Sequence, residues 1–163
     1  MRLERTGNGG LWRITMPPDE WREIRAMAKF GQAAVAYDRK TAYVAQILEY
    51  YFVPLDVCAS SPRLAAAFTA VDALGDPGAS LADVTLALPK DSMEELLLVL
   101  EMVSRAEEKA ETHSYDSSGK PLFTYPDLRY QVSRYEALFD ELLEALRAGR
   151  SADVPPPYPE RKY

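Results

Sequence analysis

Few side chains in this 163-residue chain belong to types that do chemistry, and their spacing decides what they can do. Cys58 is the only cysteine and His113 the only histidine. Brought together they would make a thiolate nucleophile with an imidazole base. No motif surrounds either, so they read as a buried small thiol and a loop imidazole. A single cysteine excludes an internal disulfide, and a single histidine leaves no soft-ligand set for zinc, copper or iron. Gly119-Lys120 invites comparison with a phosphate-cradling loop, whose glycine N–H groups wrap phosphate while a hydroxyl holds magnesium. The pattern fails twice, because Ser114 stands where the first glycine belongs and Pro121 where the hydroxyl belongs. A plain turn is what remains. Carboxylate pairs occur at Glu94-Glu95, Glu107-Glu108 and Asp140-Glu141, but a bridged di-metal site between helices also needs histidine at helical spacing, and none is there. The residues therefore point away from an enzyme and imply no cofactor or metal.

Binding chemistry is better represented. Glu136, Asp140 and Glu144 recur every four residues, and like charges at that spacing weaken a helix unless solvent or a basic surface answers them. Glu101 and Arg105, also four apart, read as a surface ion pair. Ten tyrosines stand against five phenylalanines, with Tyr115, Tyr125, Tyr130, Tyr135, Tyr158 and Tyr163 in the last third. Tyrosine suits places dry at one end and wet at the other, hence interfaces. Residues 151–163 carry three consecutive prolines at 155–157, cannot continue a helix, and favour an extended polyproline II arm. Pro155-Pro156-Pro157-Tyr158 also matches the Pro-Pro-x-Tyr pattern read by WW domains. The bacterial or viral cast of the chain favours instead an arm lying on a neighbouring subunit. Tyr135, Glu136, Asp140, Glu144, Tyr158 and Tyr163 are thus the candidate partner-binding residues, with Arg161 and Lys162 able to meet the acidic stripe of a second copy.

Charge narrows the partner class. The net charge is −6; residues 1–63 hold nine basic and seven acidic groups, residues 64–163 ten and eighteen. A phosphate-binding surface needs clustered Lys and Arg, so nucleic acid is not expected. No apolar run approaches the roughly 20 residues of a membrane helix, and the first residues lack an apolar signal core, which together suggest a cytoplasmic protein. Asn8 is the only asparagine, and arginine outnumbers lysine thirteen to six, a bias shared by thermophile proteins and GC-rich genomes.

The elements that must position these groups follow from periodicity and punctuation. Trp12, Ile14 and Met16 alternate within 11–16, and the glycine-rich 6–10 before them predicts a hairpin with residues 2–6. Pro17-Pro18-Asp19-Glu20 opens a helix with inner face Trp21, Ile24 and Ala28, closed by Gly31. Asp38 caps an apolar helix to about Phe52. Ser61-Pro62 starts an alanine-rich helix that Gly75 closes. Ser80-Leu81-Ala82-Asp83 has the form of a capping box and predicts a short helix ended by Pro89. Asp91-Ser92-Met93-Glu94 launches a long helix over 92–111 with Met93, Leu96, Leu97, Leu100 and Val103 buried. Residues 112–126 read as a structured loop with a short strand at 122–125. Asp127 caps a last helix over 128–148, whose Leu128, Val132, Tyr135, Phe139, Leu142 and Leu146 form a heptad-like seam.

The short β start with Trp12-Arg13-Ile14-Thr15-Met16-Pro17-Pro18, the helical Asp19-Glu20-Trp21-Arg22-Glu23-Ile24-Arg25, the apolar helix ending Phe52-Val53-Pro54-Leu55-Asp56 and the Leu88-Pro89-Lys90-Asp91 before a leucine-rich helix resemble the small tail assembly chaperones of long-tailed phages. The resemblance covers residues 12–104 and transfers no functional residue. It implies a non-enzymatic assembly factor that binds the tape measure protein and recruits tail-tube subunits. Together these readings predict a mainly α fold, a compact bundle of five or six helices over residues 1–150 with an N-terminal β-hairpin, followed by a Pro-rich arm over 151–163. The expected function is a protein-binding, self-associating assembly factor or structural component, with a small acidic inhibitor of a host polymerase or nuclease as the alternative.

Overall fold

A computed structural model of the chain describes residues 1–7, 10–36, 61–105 and 135–155. The expected hairpin is present. Strand β1 (Arg2–Arg5) runs antiparallel to β2 (Leu11–Met16), with Leu3 opposite Ile14 and Glu4 opposite Arg13. The Thr6 N–H and hydroxyl both donate to the Leu11 carbonyl, at 2.9 and 3.0 Å, and close the turn. Alternation sends Leu3, Trp12, Ile14 and Met16 inward, while Arg13 on the other face meets Glu4 at 2.8 Å.

The expectation of a mainly α bundle of five or six helices is overturned by two further strands. Strand β3 (Val84–Pro89) pairs antiparallel with β2, and β4 (Ala152–Asp153) with β1, making a four-stranded sheet in the order β3-β2-β1-β4. Among the described residues four helices accompany this sheet: α1 (Pro18–Ala36), α2 (Pro62–Leu74), α3 (Lys90–Arg105) and α4 (Tyr135–Ala148). The fold is α+β. The short helix expected over 80–89 fails for an identifiable reason. Ser80 Oγ does accept a backbone hydrogen bond, but from Ala82 at 3.2 Å, which makes a tight turn instead of a helix cap. Beyond it Val84-Thr85-Leu86-Ala87-Leu88 has period two, with Leu86 and Leu88 buried and Thr85 and Ala87 exposed. A lone two-stranded hairpin is marginal in water, so a third strand offers more than one isolated helical turn.

The helices follow their punctuation more closely. Pro18 opens α1, where Trp21 N–H donates to the Pro17 carbonyl at 3.0 Å. Gly31, expected to end this helix, lies inside it. A β-carbon there would sit 2.5 Å from Val99 Cγ1 and 3.4 Å from Val103 Cγ2, so glycine serves the close crossing of α1 over α3. Ser61 caps α2 by accepting from Leu64 N–H, and Gly75, at φ +63°, ends it. Trp21 Nε1 donates to the Gly75 carbonyl at 2.7 Å and ties α1 to that end. In α3, Met93, Leu96, Leu97, Leu100 and Val103 are buried as expected. Helix α4 buries Tyr135, Phe139, Leu142 and Leu146 and ends in a Schellman arrangement, Gly149 N–H on Leu146 and Arg150 N–H on Ala145. Side chains from the sheet's inner face and all four helices form one apolar core. The helix expected over 38–52, the loop over 112–126 with its strand at 122–125, and residues 128–134 lie outside the described residues, as do Cys58 and His113.

Two substitutions test this packing. Phe139→Ala is expected to cost about 3–5 kcal/mol in denaturant unfolding. Gly31→Ala is expected to destabilise the protein although alanine favours a helix by about 0.8–1 kcal/mol over glycine; a stabilised variant would contradict the close crossing.

Candidate functional site

The most unusual chemistry in the molecule is buried. Residues 20, 23, 24, 27 and 31 share the inner stripe of α1, so the period that points Ile24 and Met27 into the core also buries Glu20 and Glu23, at 4% and 5% exposure. The Glu23 carboxylate accepts from the Tyr135 hydroxyl of α4. Glu20 lies 3.8 Å from the Met1 ammonium, and among the described residues neither of its oxygens accepts a hydrogen bond. That ammonium donates to the Val154 carbonyl at 2.8 Å, and Val154 N–H returns a bond to the Met1 carbonyl at 2.9 Å. The start of β1, the end of β4, α1 and α4 therefore meet around two carboxylates and one ammonium. Burial pushes the Glu20 carboxyl above the ordinary glutamate value; the Met1 ammonium pulls it down, and the negative charges of Glu23 and Asp83 raise it further. A carboxyl so enclosed stores a proton inside the fold and does not present an acid to a substrate.

A second acidic group lies nearer the surface. Carboxylate oxygens of Glu101 on α3 and of Glu136 and Asp140 on α4 all fall within 4.8 Å of one another. Glu101 is 4% exposed, which corrects its reading as a surface partner of Arg105. Three carboxylates concentrate negative charge where a basic side chain or an oxygen-seeking cation would be held. Of the candidate partner-binding residues, Tyr135 belongs to the core, Glu136 is half-buried, and Asp140 and Glu144 are exposed. Glu144 sits 3.8 Å from Arg150. Tyr158 and Tyr163 lie outside the described residues. Ala152 and Asp153, assigned to the arm from sequence, form β4, and Val154 is buried.

A cleft of about 390 Å³ opens between the start of α1 and the 78–81 turn, with Pro17, Pro18 and Leu81 as apolar walls and Arg22 across it. The Arg22 guanidinium donates to Asp19 at 2.7 Å and to the Gly78 carbonyl, and lies 3.9 Å from Asp76. Those bonds staple α1 to the turn. Among the described residues no helix is long and apolar enough to cross a membrane.

The raised Glu20 value has a definite sign. Between the ordinary glutamate value and the raised folded value the folded state holds more proton than the unfolded chain, so stability rises as pH falls through that window. Glu20→Gln removes the buried charge and is expected to raise the melting temperature at pH 7 by a few degrees and to flatten this part of the pH profile. A lower melting temperature would mean that the Met1 ion pair outweighs the burial cost. No protein-family model, curated protein or solved structure matches this chain.

Proposed function

We propose that this chain is a non-enzymatic, protein-binding assembly factor or structural component, phage-encoded and akin in role to the tail assembly chaperones of long-tailed phages. The observation that carries the reading is the anchored base of the C-terminal arm. Val154 is buried and exchanges hydrogen bonds with Met1, so the segment Pro156-Pro157-Tyr158-Pro159-Glu160-Arg161-Lys162-Tyr163 leaves from a fixed point at the edge of the sheet. A proline-rich arm loses less entropy on docking than a Gly/Ser tail, and a rigid base lowers that cost again. Tyr158 and Tyr163 supply amphipathic anchors, and Arg161 and Lys162 the charge that meets an acidic surface. On the folded body the complementary feature is the acidic cluster of Glu101, Glu136 and Asp140, with exposed Glu144 beyond it. Its partner is a protein with basic side chains.

The anchoring sets the test. A chain ending at Pro155 keeps β4 and Val154 and is expected to retain the helical circular dichroism signal and melting temperature of the full chain. It should lose capture of the partner, on this reading the tape measure protein, in pull-downs from the source cells. A chain ending at Arg150 is expected to lose about 1.5–3 kcal/mol of stability with the burial of Val154. Capture of a host polymerase or nuclease with loss of its activity would instead establish an inhibitor, and undiminished capture by the chain ending at Pro155 would remove the arm from the function.

A further inference from the structure

Natural sheets guard their edges with charge, proline, bulges or brevity, because an open edge is a template for another strand. Among the described residues one edge of this sheet is guarded by brevity, since β4 has two residues. The other edge is β3, six residues paired on one side only, with β2. Val84-Thr85-Leu86-Ala87-Leu88-Pro89 carries no charge, and its proline stands at the last position. The central strands show the contrast, with Arg2, Glu4, Arg5 and Arg13 in β1 and β2.

The helix packed against β3 carries the same character. Helix α2 has one basic and one acidic residue, Arg63 and Asp72, and its solvent-facing stripe is Ala65, Ala66, Thr69 and Ala73, with Leu74 42% exposed beside it. A helix apolar on more than one side is one that expects cover. Leu81, just before β3, is 93% exposed. Strand edge, small-residue helix and bare leucine thus gather around β3.

We infer that the β3 edge is a self-association surface, which joins two copies of this chain through antiparallel β3–β3 pairing into a continuous eight-stranded sheet. Three features select a second copy. The chain carries net charge −6, so two copies repel except where the surface is uncharged, and β3 with α2 is such a surface. A two-fold contact must be self-complementary; Asp83 precedes β3 and Lys90 follows it, so antiparallel pairing sets the acidic end of each strand near the basic end of the other, whereas parallel pairing stacks like on like. Pairing that keeps Leu86 and Leu88 on the inner face also keeps both helical layers on one side of the joined sheet, with α2 beside α2. The edge lies apart from the arm, so this surface stands independently of the function proposed above.

The test is the mass of the full chain by sedimentation or light scattering over a wide concentration range. The wild type is expected to reach twice the mass of one chain. Thr85→Lys with Ala87→Lys places like charges opposite one another across the two-fold axis and is expected to give the mass of one chain with an unchanged helical signal; Thr85→Glu with Ala87→Glu should do the same. Mixing the two variants should restore the double mass. The chain ending at Pro155 should dimerise as the full chain does, which separates this surface from the arm. Should the charged variants fail to fold, amide exchange at 85–88 in the wild type is expected to slow as concentration rises. A wild type that stays at the mass of one chain, charged variants that keep the double mass, a mixture that does not reassociate, or exchange at 85–88 independent of concentration would each overturn the inference.

Discussion

Strand β1 is four residues long, and two other strands hang on it. Its pairing with β2 orders the hairpin, and its pairing with β4 brings the chain back after α4. The reciprocal bonds between Met1 and Val154 extend that second pairing past the two residues of β4. Two residues of ladder would be a weak contact in water. Here the Met1 side chain and Val154 are both buried, so the backbone bonds form where water does not compete for them. The helices depend on this closure in turn, because the inner face of the sheet is the floor of the single core.

The same junction holds the least comfortable charges of the fold. Glu20 and Glu23 occupy core positions on α1, where apolar side chains would pack at lower cost. Tyr135 and the Met1 ammonium answer them from different elements. The result is polar coupling between the start of α1, the described start of α4 and both paired outer segments. Apolar packing alone tolerates sliding; a hydroxyl aimed at one carboxylate fixes the register of α4 against α1 more tightly. Elsewhere the helices are joined at the rim, by Arg147 to Glu94 at 2.7 Å between α4 and α3 and by Ser61 to Glu95 at 2.5 Å between α2 and α3.

Legibility in the sequence tracked how local each cause is. The hairpin was readable because alternation and a glycine-rich turn lie within fifteen residues. The heptad-like seam was readable as well, and Tyr135, Phe139, Leu142 and Leu146 are all fully buried. Strand β3 was hidden because Ser80 and Pro89 imitate helix punctuation, while its partner strand lies some seventy residues earlier in the chain. Strand β4 was hidden for the same reason: an Ala-Asp dipeptide before a proline run has no strand signal until β1 is there to receive it. Gly31 looked like a stop because glycine usually is one, and only the approach of Val99 shows it as a crossing point. Tyr135 shows the limit of composition, since a tyrosine that could serve an interface spends its hydroxyl on a buried carboxylate. Glu20 was the error that periodicity could have caught, because it shares the stripe of Met27 while looking like an ordinary acidic residue at a helix start.

An anchored arm on a closed α+β body is the feature from which the functional reading grows. The body contributes a rigid base and an acidic cluster; the arm contributes proline stiffness, tyrosine and basic charge. What makes the two a unit is the clasp between Met1 and Val154. Amide exchange at Val154 therefore tests the account most directly. If the clasp belongs to the cooperative core, this N–H exchanges only through global unfolding, as slowly as the central amides of α4. Exchange at the rate of an unstructured peptide would contradict the account, because the arm would then begin at Gly149 and swing free of the sheet.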